Sequence, residues 1–217
     1  HFPSRKVRHT GNPLRRRVAD ALRRAPARTP ARPGRLRVLI FGGSQGARFL
    51  NESVPGLLAR VREEDPSIQL EICHQTGVHD EDVTRERYEA TALDSASWKV
   101  TAFIDDMPSA YAVADLAITR AGALTVGELM AVGLPSLLVP FPFAADNHQE
   151  VNASVLVDGG AARMVTQPDW SEAALSEWLR GLAHAPDRLG EMSVAARKLA
   201  QLDAASDVVD SLEELTR

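Results

Sequence analysis

Short, almost wholly apolar runs alternate with longer amphipathic segments between residues 35 and 165. Apolar runs with little polar alternation predict strands that are covered on both faces, and the segments between them predict helices. The predicted strands are Arg37–Phe41, Ile68–Cys73, Lys99–Phe103, Leu116–Thr119, Ser136–Val139 and Ala162–Val165. The predicted helices between them are Gln45–Glu64, Asp80–Thr91, Pro108–Val113, Ala123–Val132 and Asn147–Val157. This alternation predicts right-handed crossovers and an α/β fold with a Rossmann-like, doubly wound parallel sheet.

After Pro168 the apolar residues recur at three- and four-residue spacing, which is typical of amphipathic helices. The predicted helices are Trp170–Ala183, Pro186–Leu202, with Val194, Leu199 and Leu202 among its apolar positions, and Ala204–Leu215. We therefore expect a sheet domain over residues 36–203 and a C-terminal helix over residues 204–217 that packs on a partner domain. Residues 1–35 contain several prolines and predict a connector with one short helix. Because the sequence begins at His1 without a Met, we expect it to be cut from something longer.

Composition narrows the class of protein without identifying it. The chain has 217 residues, 44% of them hydrophobic, with a net charge of −4 and a pI of about 5.9, so the whole protein is not a polyanion binder. Arginines are dense in the first 37 residues, where the acidic residue is Asp20. This basic segment fits either a nucleic-acid or membrane-surface arm or a solvated linker beside a partner. The lone Cys73 excludes an internal disulfide framework and fits a reducing cytosol.

Two glycine-marked turns join a predicted strand to a predicted helix. The first is Gly42-Gly43-Ser44-Gln45-Gly46-Ala47, and the second runs from Arg120 through Gly122 to Glu128. Each aims free backbone N–H groups and a positive helix end at the carboxyl edge of the sheet, an arrangement that binds phosphate. A pair of such turns suits a diphosphate. Glu128 lies one helical turn inside the second helix and suits the two hydroxyls of a ribose, although it could instead complement the helix dipole.

A polar cluster follows the predicted strand Ser136–Val139. It comprises Asp146, Asn147, His148, Gln149 and Asn152, which are side chains of the kind that bind sugar hydroxyls. Part of this pattern fits a helix N-cap at Asp146, but Gln149 and Asn152 lie three residues apart on one helix face. The Asp105-Asp106 pair before Met107-Pro108 is typical of an N-cap, and the scattered histidines show no zinc-ligand spacing. We therefore expect no metal site.

Six segments in this order resemble the MurG family of bacterial N-acetylglucosaminyltransferases. They are Gly11-Asn12-Pro13-Leu14-Arg15, Gly42 to Ala47, His74-Gln75-Thr76-Gly77, Phe103-Ile104-Asp105-Asp106-Met107, Arg120 to Glu128, and Asp146 to Asn152. The resemblance covers nearly the whole chain. It implies a GT-B glycosyltransferase, which has two Rossmann-like domains around a cleft. This chain would be the C-terminal half, in which an interdomain linker (residues 1–35) precedes the domain that binds the UDP-sugar.

The resemblance also implies roles for individual residues. Arg15 and Ser44 would face the diphosphate, Ile104 would meet uracil through its backbone, and Glu128 would hold the ribose. Gly122, Ala123, Leu124 and Thr125 of the second turn would contact the phosphates and one sugar hydroxyl, and Val126 and Gly127 would also belong to the substrate-binding residues. Gln149 would hold N-acetylglucosamine, with His148 and Asn152 as weaker candidates. No residue of this chain is expected to be the general base, while Arg15, Ser44 and Thr125 would stabilise the leaving group.

The implied reaction is an inverting transfer of N-acetylglucosamine from UDP-N-acetylglucosamine to lipid I, which gives lipid II in peptidoglycan synthesis. No cofactor or metal is expected. The implied partners are the UDP-sugar, lipid I through the other domain, and the inner face of the cytoplasmic membrane as a peripheral site; no nucleic acid is expected. The alternatives are a stand-alone UDP-sugar-binding subunit that needs a membrane-bound partner, and an enzyme resembling the UDP-N-acetylglucosamine epimerases.

Overall fold

The computed structural model describes residues 31–43, 47–201 and 204–215, together with Leu14 and Asp20. Six strands form one sheet in the order β3-β2-β1-β4-β5-β6, and every neighbouring pair is parallel. The strands are β1 (Arg35–Phe41), β2 (Gln69–Gln75), β3 (Trp98–Thr101), β4 (Leu116–Thr119), β5 (Ser136–Leu138) and β6 (Ala162–Met164). The predicted α/β class and parallel sheet are confirmed. Strand addition changes direction between β1 and β4, which makes their carboxyl ends the switch point where such sheets bind ligands.

Eight α-helices occur in the described residues. They are α1 (Arg48–Glu64), α2 (Glu81–Glu89), α3 (Met107–Val113), α4 (Ala123–Val132), α5 (His148–Asp158), α6 (Glu172–His184), α7 (Pro186–Leu199) and α8 (Ala204–Leu215). Short 3-10 turns lie at Ser95–Ser97 and Ala145–Asn147. Each strand and each α-helix agrees with a predicted one to within a few residues, whereas the two 3-10 turns were not predicted. None of the described helices is long and apolar enough to cross a membrane.

The core has two layers, one on each face of the sheet. On one face Leu36, Val38 and Ile40 of β1 pack against α1 and α6, and on the other Leu39 and Phe41 pack with residues of α4 and α5. Strands covered in this way are largely apolar, as β1 and β4 are, whereas β2 keeps the exposed Gln69 and Glu71.

The apolar positions named for α7 do not all lie on its buried face. Val194 is 55% exposed, whereas Leu189, Met192 and Ala196 are the buried residues of this helix. The difference arises because α7 contributes to both core layers, so its buried positions do not form one simple stripe. The packing of α8 on another domain, like the linker over residues 1–35, stays a prediction.

A buried ion pair joins the beginnings of β1 and β4. The guanidinium of Arg37 lies 2.5 Å from Asp115, whose side chain is 1% exposed. The second carboxylate oxygen of Asp115 accepts hydrogen bonds from the backbone N–H and Nε of Arg37, both at 2.9 Å. These bonds compensate two charges at the amino edge of the sheet, the edge opposite the glycine-marked turns.

Candidate functional site

A cavity of about 570 Å³ opens between the two glycine-marked turns, at the carboxyl ends of β1 and β4. This volume is in the range of small-molecule sites, about 300–1,000 Å³. Its lining includes Gly42 and Gly43 of the first turn, and Gly122 and Thr125 of the second. The structure therefore brings the two turns together, as their positions after neighbouring strands predict.

The helices that begin at these turns have no side-chain cap in the described structure. The N-cap of α1 is Ala47 and that of α4 is Gly122, and neither side chain accepts a bond from the helix. The first N–H groups of an uncapped helix lack intrahelical acceptors and carry a partial positive charge. Gly43 has φ of +90°, which permits a backbone path that other residues rarely adopt. Both helix ends therefore offer donors for an anion at the cavity.

Arg120 adds a cation to the cavity wall. Its Nη1 donates to the carbonyl oxygens of Val139 and Pro140, both at 3.0 Å. The guanidinium also lies 5.9 Å from the ring centroid of Phe49 and 5.5 Å from that of Phe141. Burial lowers the pKa of Arg120 from its ordinary value, but a guanidinium stays charged at neutral pH. The loop sequence contained this residue, yet only the fold shows that it faces the same cavity as the turns.

Glu128 is oriented by a tyrosine from another helix. The hydroxyl of Tyr111 donates to Oε2 of Glu128 at 2.8 Å. Tyr111 is 1% exposed and lies edge-on to Phe41. Burial, followed by the charge and hydrogen bond of Glu128, raises the pKa of Tyr111 well above its ordinary value, so this hydroxyl remains a donor. Glu128 is therefore a half-buried carboxylate in a fixed position rather than a mobile surface acid.

Gln149 and Asn152 reach the backbone of the second turn. The Oε1 atom of Gln149 accepts from the N–H groups of Ala121 (3.1 Å) and Phe141 (3.0 Å), and Nδ2 of Asn152 donates to the carbonyl of Ala121 (3.0 Å). Their predicted common face on the helix is confirmed. Gln149 therefore joins the loops after β4 and β5, and Asn152 holds the loop after β4, roles that the sequence interpretation did not foresee. Gln149 also lines the cavity, whereas Asn152 is not among its lining residues.

The start of α5 differs from the expected N-cap. Asp146 and Asn147 have positive φ values of 50° and 52°, and the N-cap of α5 is Asn147 without a side-chain cap bond. The partial N-cap role expected of Asp146 is therefore wrong, since Asp146 lies in the preceding 3-10 turn. His148 is exposed on the first turn of α5. By contrast, the expected cap at Asp106 is confirmed, because its carboxylate accepts from the N–H of Ser109 at 3.1 Å.

The remaining predicted residues fall into three groups. Ile104 is half-buried against the core layer of α4 and α5, after the end of β3. Ala123 and Leu124 are exposed on the first turn of α4, but Val126 and Gly127 are buried, and the Val126 side chain belongs to the core. A ligand contact by either of these two stays a prediction that their burial does not favour. Arg15 and Ser44 lie outside the described residues.

Comparisons with known proteins agree with this geometry. The glycosyltransferase family 28 C-terminal domain matches residues 37–209. A protein of Burkholderia thailandensis is 46% identical over 202 residues, covering 92% of this chain and 53% of its own length. It is named UDP-N-acetylglucosamine–N-acetylmuramyl-(pentapeptide) pyrophosphoryl-undecaprenol N-acetylglucosamine transferase. The chain spans about half the length of the curated relatives it matches.

Solved structures give the same result. MurG of Acinetobacter baumannii is 36% identical with a TM-score of 0.76, covering 91% of this chain and 53% of that one. The C-terminal CMP-Kdo binding domain of WaaA from the same organism is 16% identical with a TM-score of 0.55, covering 84% of this chain and 95% of that domain, and shows the fold alone. The resemblance predicted from the sequence motifs is confirmed. This chain belongs to the family of glycosyltransferase family 28 C-terminal domains.

Proposed function

We propose that this chain is the donor-binding half of an inverting glycosyltransferase that transfers N-acetylglucosamine from UDP-N-acetylglucosamine to lipid I. The observation that carries the proposal is the meeting of two uncapped helix N-termini at one cavity, with Arg120 in its wall. The relatives that share 46% identity are named as transferases of this sugar, which supports the same donor here.

The diphosphate would lie between the N-termini of α1 and α4, where backbone N–H groups and the Thr125 hydroxyl donate to phosphate oxygens. Glu128 would accept hydrogen bonds from the two ribose hydroxyls, since Tyr111 already fixes its carboxylate. The backbone at Ile104 would meet uracil. Gln149 would donate to the sugar through Nε2, because its Oε1 is engaged by two backbone N–H groups.

The chemical step follows from these positions. A hydroxyl oxygen of the acceptor forms a bond to the anomeric carbon while the bond from that carbon to the diphosphate oxygen breaks. The electron pair leaves with UDP, and configuration at the anomeric carbon inverts. Helix N-termini, Thr125 and Arg120 stabilise the charge that develops on the leaving group. The acceptor proton goes to a base in the other half of the enzyme.

The acceptor and the membrane belong to this proposal as well. Lipid I carries an undecaprenyl chain, so its transferase would work as a peripheral enzyme at the inner face of the cytoplasmic membrane. We propose that this contact lies in the other half of the enzyme. A reconstituted pair of halves should transfer N-acetylglucosamine to lipid I in vesicles, and turnover by this chain alone would contradict the assignment.

Calorimetric titration tests donor binding directly. We expect the chain to bind UDP with a dissociation constant between about 1 μM and 1 mM, which is about 4–8 kcal/mol. UDP-N-acetylglucosamine should bind more tightly than UDP-glucose, because the acetamido group adds polar contacts. We also expect EDTA to leave the UDP affinity unchanged, since the proposal places no metal ion. Absence of UDP binding would contradict the proposed function.

A further inference from the structure

The segment His74-Gln75-Thr76-Gly77 has no role in the proposed chemistry, yet its second residue makes an unusual pair of contacts. The Gln75 side chain lies at the end of β2 and is 4% exposed. Its Nε2 donates to the carbonyl oxygen of Gly43 at 3.0 Å and to that of Ala102 at 3.3 Å. One amide group therefore joins two loops that follow different strands.

The two loops serve different ends of the proposed nucleotide. Gly43 belongs to the turn after β1 that lines the cavity. Ala102 lies between the end of β3 and Ile104, the residue assigned to uracil. The Ala102 peptide is held from both sides, because its N–H donates to Oε2 of Glu81 at 3.0 Å and its carbonyl also accepts from the N–H of Gly77 at 3.1 Å. Gln75 thus connects the loop assigned to uracil, in which the Ala102 peptide is held in place, to the glycine turn assigned to the diphosphate.

Only a side chain with two donor protons on one atom can make this bridge. The primary amide supplies both, and its orientation is determined because an amide oxygen at the same place would face two carbonyl oxygens. A carboxylate of the same shape would be repelled by both acceptors, and a thioether would donate to neither. The bridge therefore depends on the two N–H donors of the Gln75 amide as well as on the volume of its side chain.

A second set of contacts from the same segment holds helix α1. His74 is fully buried, with Nε2 3.1 Å from Oδ1 of Asn51 and Nδ1 3.0 Å from the Tyr88 hydroxyl. Asn51 donates through Nδ2 to the carbonyl of Thr76 at 3.1 Å and to Asp80 at 2.9 Å. Since both Nδ2 bonds are donations, Oδ1 accepts, and the neutral ring of His74 carries its proton on Nε2. Asn51 lies in the first turn of α1, so the segment anchors the helix that follows the glycine turn.

We propose that Gln75 is a positioning residue that sets the separation between the uracil loop and the diphosphate turn. It does not touch the nucleotide. It holds the uracil loop and the diphosphate turn at the spacing of one intact nucleoside diphosphate. A ligand that contacts both therefore binds with higher affinity than a ligand that contacts only one. This inference rests on the proposed function, because it takes UDP as the ligand that spans the two loops.

The test compares an intact nucleotide with its fragments. In Gln75→Met, which keeps the length of the side chain without its donors, the dissociation constant of UDP should rise by about tenfold. Those of uridine and of pyrophosphate, measured by NMR titration, should each change by less than about twofold. A larger loss of affinity for UDP than for its fragments would show that the spacing between the uracil loop and the diphosphate turn has changed. A general structural defect would weaken the binding of all three ligands.

Ser176→Ala is the matched control. Ser176 is fully buried and donates through Oγ to Oε2 of Glu64 at 2.6 Å, a hydrogen bond between α6 and α1 that takes no part in the proposed site. Its loss should lower the melting temperature without changing any of the three affinities. If Gln75→Met fails to fold, Gln75→Leu provides the same comparison, because it also removes both donors and adds no charge.

The outcomes are separable. An unchanged UDP affinity in either folded Gln75 variant would overturn the inference, as would losses of equal size for UDP, uridine and pyrophosphate. If the parent chain binds uridine and pyrophosphate but binds UDP no more tightly than either fragment, the inference fails, while the proposed uracil and diphosphate contacts are retained. If the parent binds none of them, the proposed function fails and the inference falls with it.

Discussion

Helix N-termini in the described residues are of two kinds, those whose N-cap side chain accepts a hydrogen bond from the helix and those that lack such a cap. At the cavity, α1 and α4 begin at Ala47 and Gly122 without side-chain caps. Elsewhere, Asp106 caps α3 and Ser171 caps α6, each accepting a hydrogen bond from the helix backbone. A missing cap does not mark the site by itself, because α2, α5 and α7 also begin without a side-chain cap bond. What distinguishes α1 and α4 is that their open ends meet at one cavity.

The helix ends without a cap lack the stabilisation that a capping side chain would supply. A capping side chain stabilises a helix by about 0.5–2 kcal/mol, and residues 47 and 122 make no such contribution. An open N-terminus is also a ready site for an anion, because its donors and its partial charge are aimed at one point. The open ends of α1 and α4 line the cavity, whereas the two capped helices, α3 and α6, do not line it. We therefore expect ligand binding and fold stability to respond to different substitutions.

The largest expected effect comes from closing an open N-terminus. Gly122→Asp should cap α4 and place a negative charge beside the diphosphate, which would weaken UDP binding by about 2–4 kcal/mol. The backbone at Gly122 (φ −63°, ψ 145°) accepts residues other than glycine, and an added Cβ would lie 3.9 Å from Oγ1 of Thr125, an ordinary van der Waals distance. Calorimetry measures the binding loss, and chemical unfolding should show unchanged or slightly increased stability. Gly122→Ser, a neutral cap, should lose less affinity than Gly122→Asp; equal losses would contradict the electrostatic explanation.

The ribose contact should have the next largest effect. Glu128→Ala should weaken UDP binding by about 1–3 kcal/mol through the loss of charge-assisted hydrogen bonds. Pyrophosphate affinity should not change, because that ligand has no ribose. Glu128→Gln is the conservative comparison, since it keeps an acceptor for the Tyr111 hydroxyl. A Glu128→Ala variant that titrates with UDP like the parent would refute the ribose assignment.

Removing a cap away from the cavity should affect stability alone. Ser171→Ala takes away the hydroxyl that accepts from the N–H of Ala174 at 3.4 Å. We expect a loss of about 0.5–1 kcal/mol in the free energy of unfolding, measured in urea. UDP affinity should equal that of the parent, and a parallel loss of affinity would mean that the two kinds of helix end are not independent.

The smallest effect concerns pH at the far end of α1. Hydrogen bonds from the Ser67 hydroxyl and from His184 lower the pKa of Asp65 to about 2, from an ordinary value of 3.8. Because the folded-state pKa is the lower one, the stabilisation is complete above pH 4 and is lost as pH falls toward 2. Asp65→Asn should therefore be less stable than the parent at neutral pH, and the difference in melting temperature should shrink below pH 4. A constant difference down to pH 2 would contradict this explanation.

Local patterns were sufficient to predict the fold and the meeting of the two glycine-marked turns at one edge of the sheet. Short, mostly apolar runs marked the strands, and glycine turns after two of them marked the switch point of the sheet. The Asp106 cap could be predicted because its partner lies three residues away. These features depend on neighbours in sequence, which a pattern records directly.

Side-chain partners distant in sequence could not be predicted. Tyr111 is 17 residues from Glu128, and Gln75 is 32 residues from Gly43. Such contacts depend on how strands and helices pack, and no local spacing encodes them. For the same reason Gln149 was predicted as a sugar ligand without its two backbone partners, although both follow from the position of α5 against the loops after β4 and β5.

The most direct test of the account is a crystal structure of the chain with UDP bound. The account predicts phosphate oxygens within hydrogen-bond distance of backbone N–H groups at the starts of both α1 and α4, and ribose hydroxyls on the Glu128 carboxylate. Another cavity of the described structure is lined by Arg35 and Cys73, among other residues. A nucleotide found there, or anywhere else outside the proposed site, would contradict the claim that the open ends of α1 and α4 form the donor site.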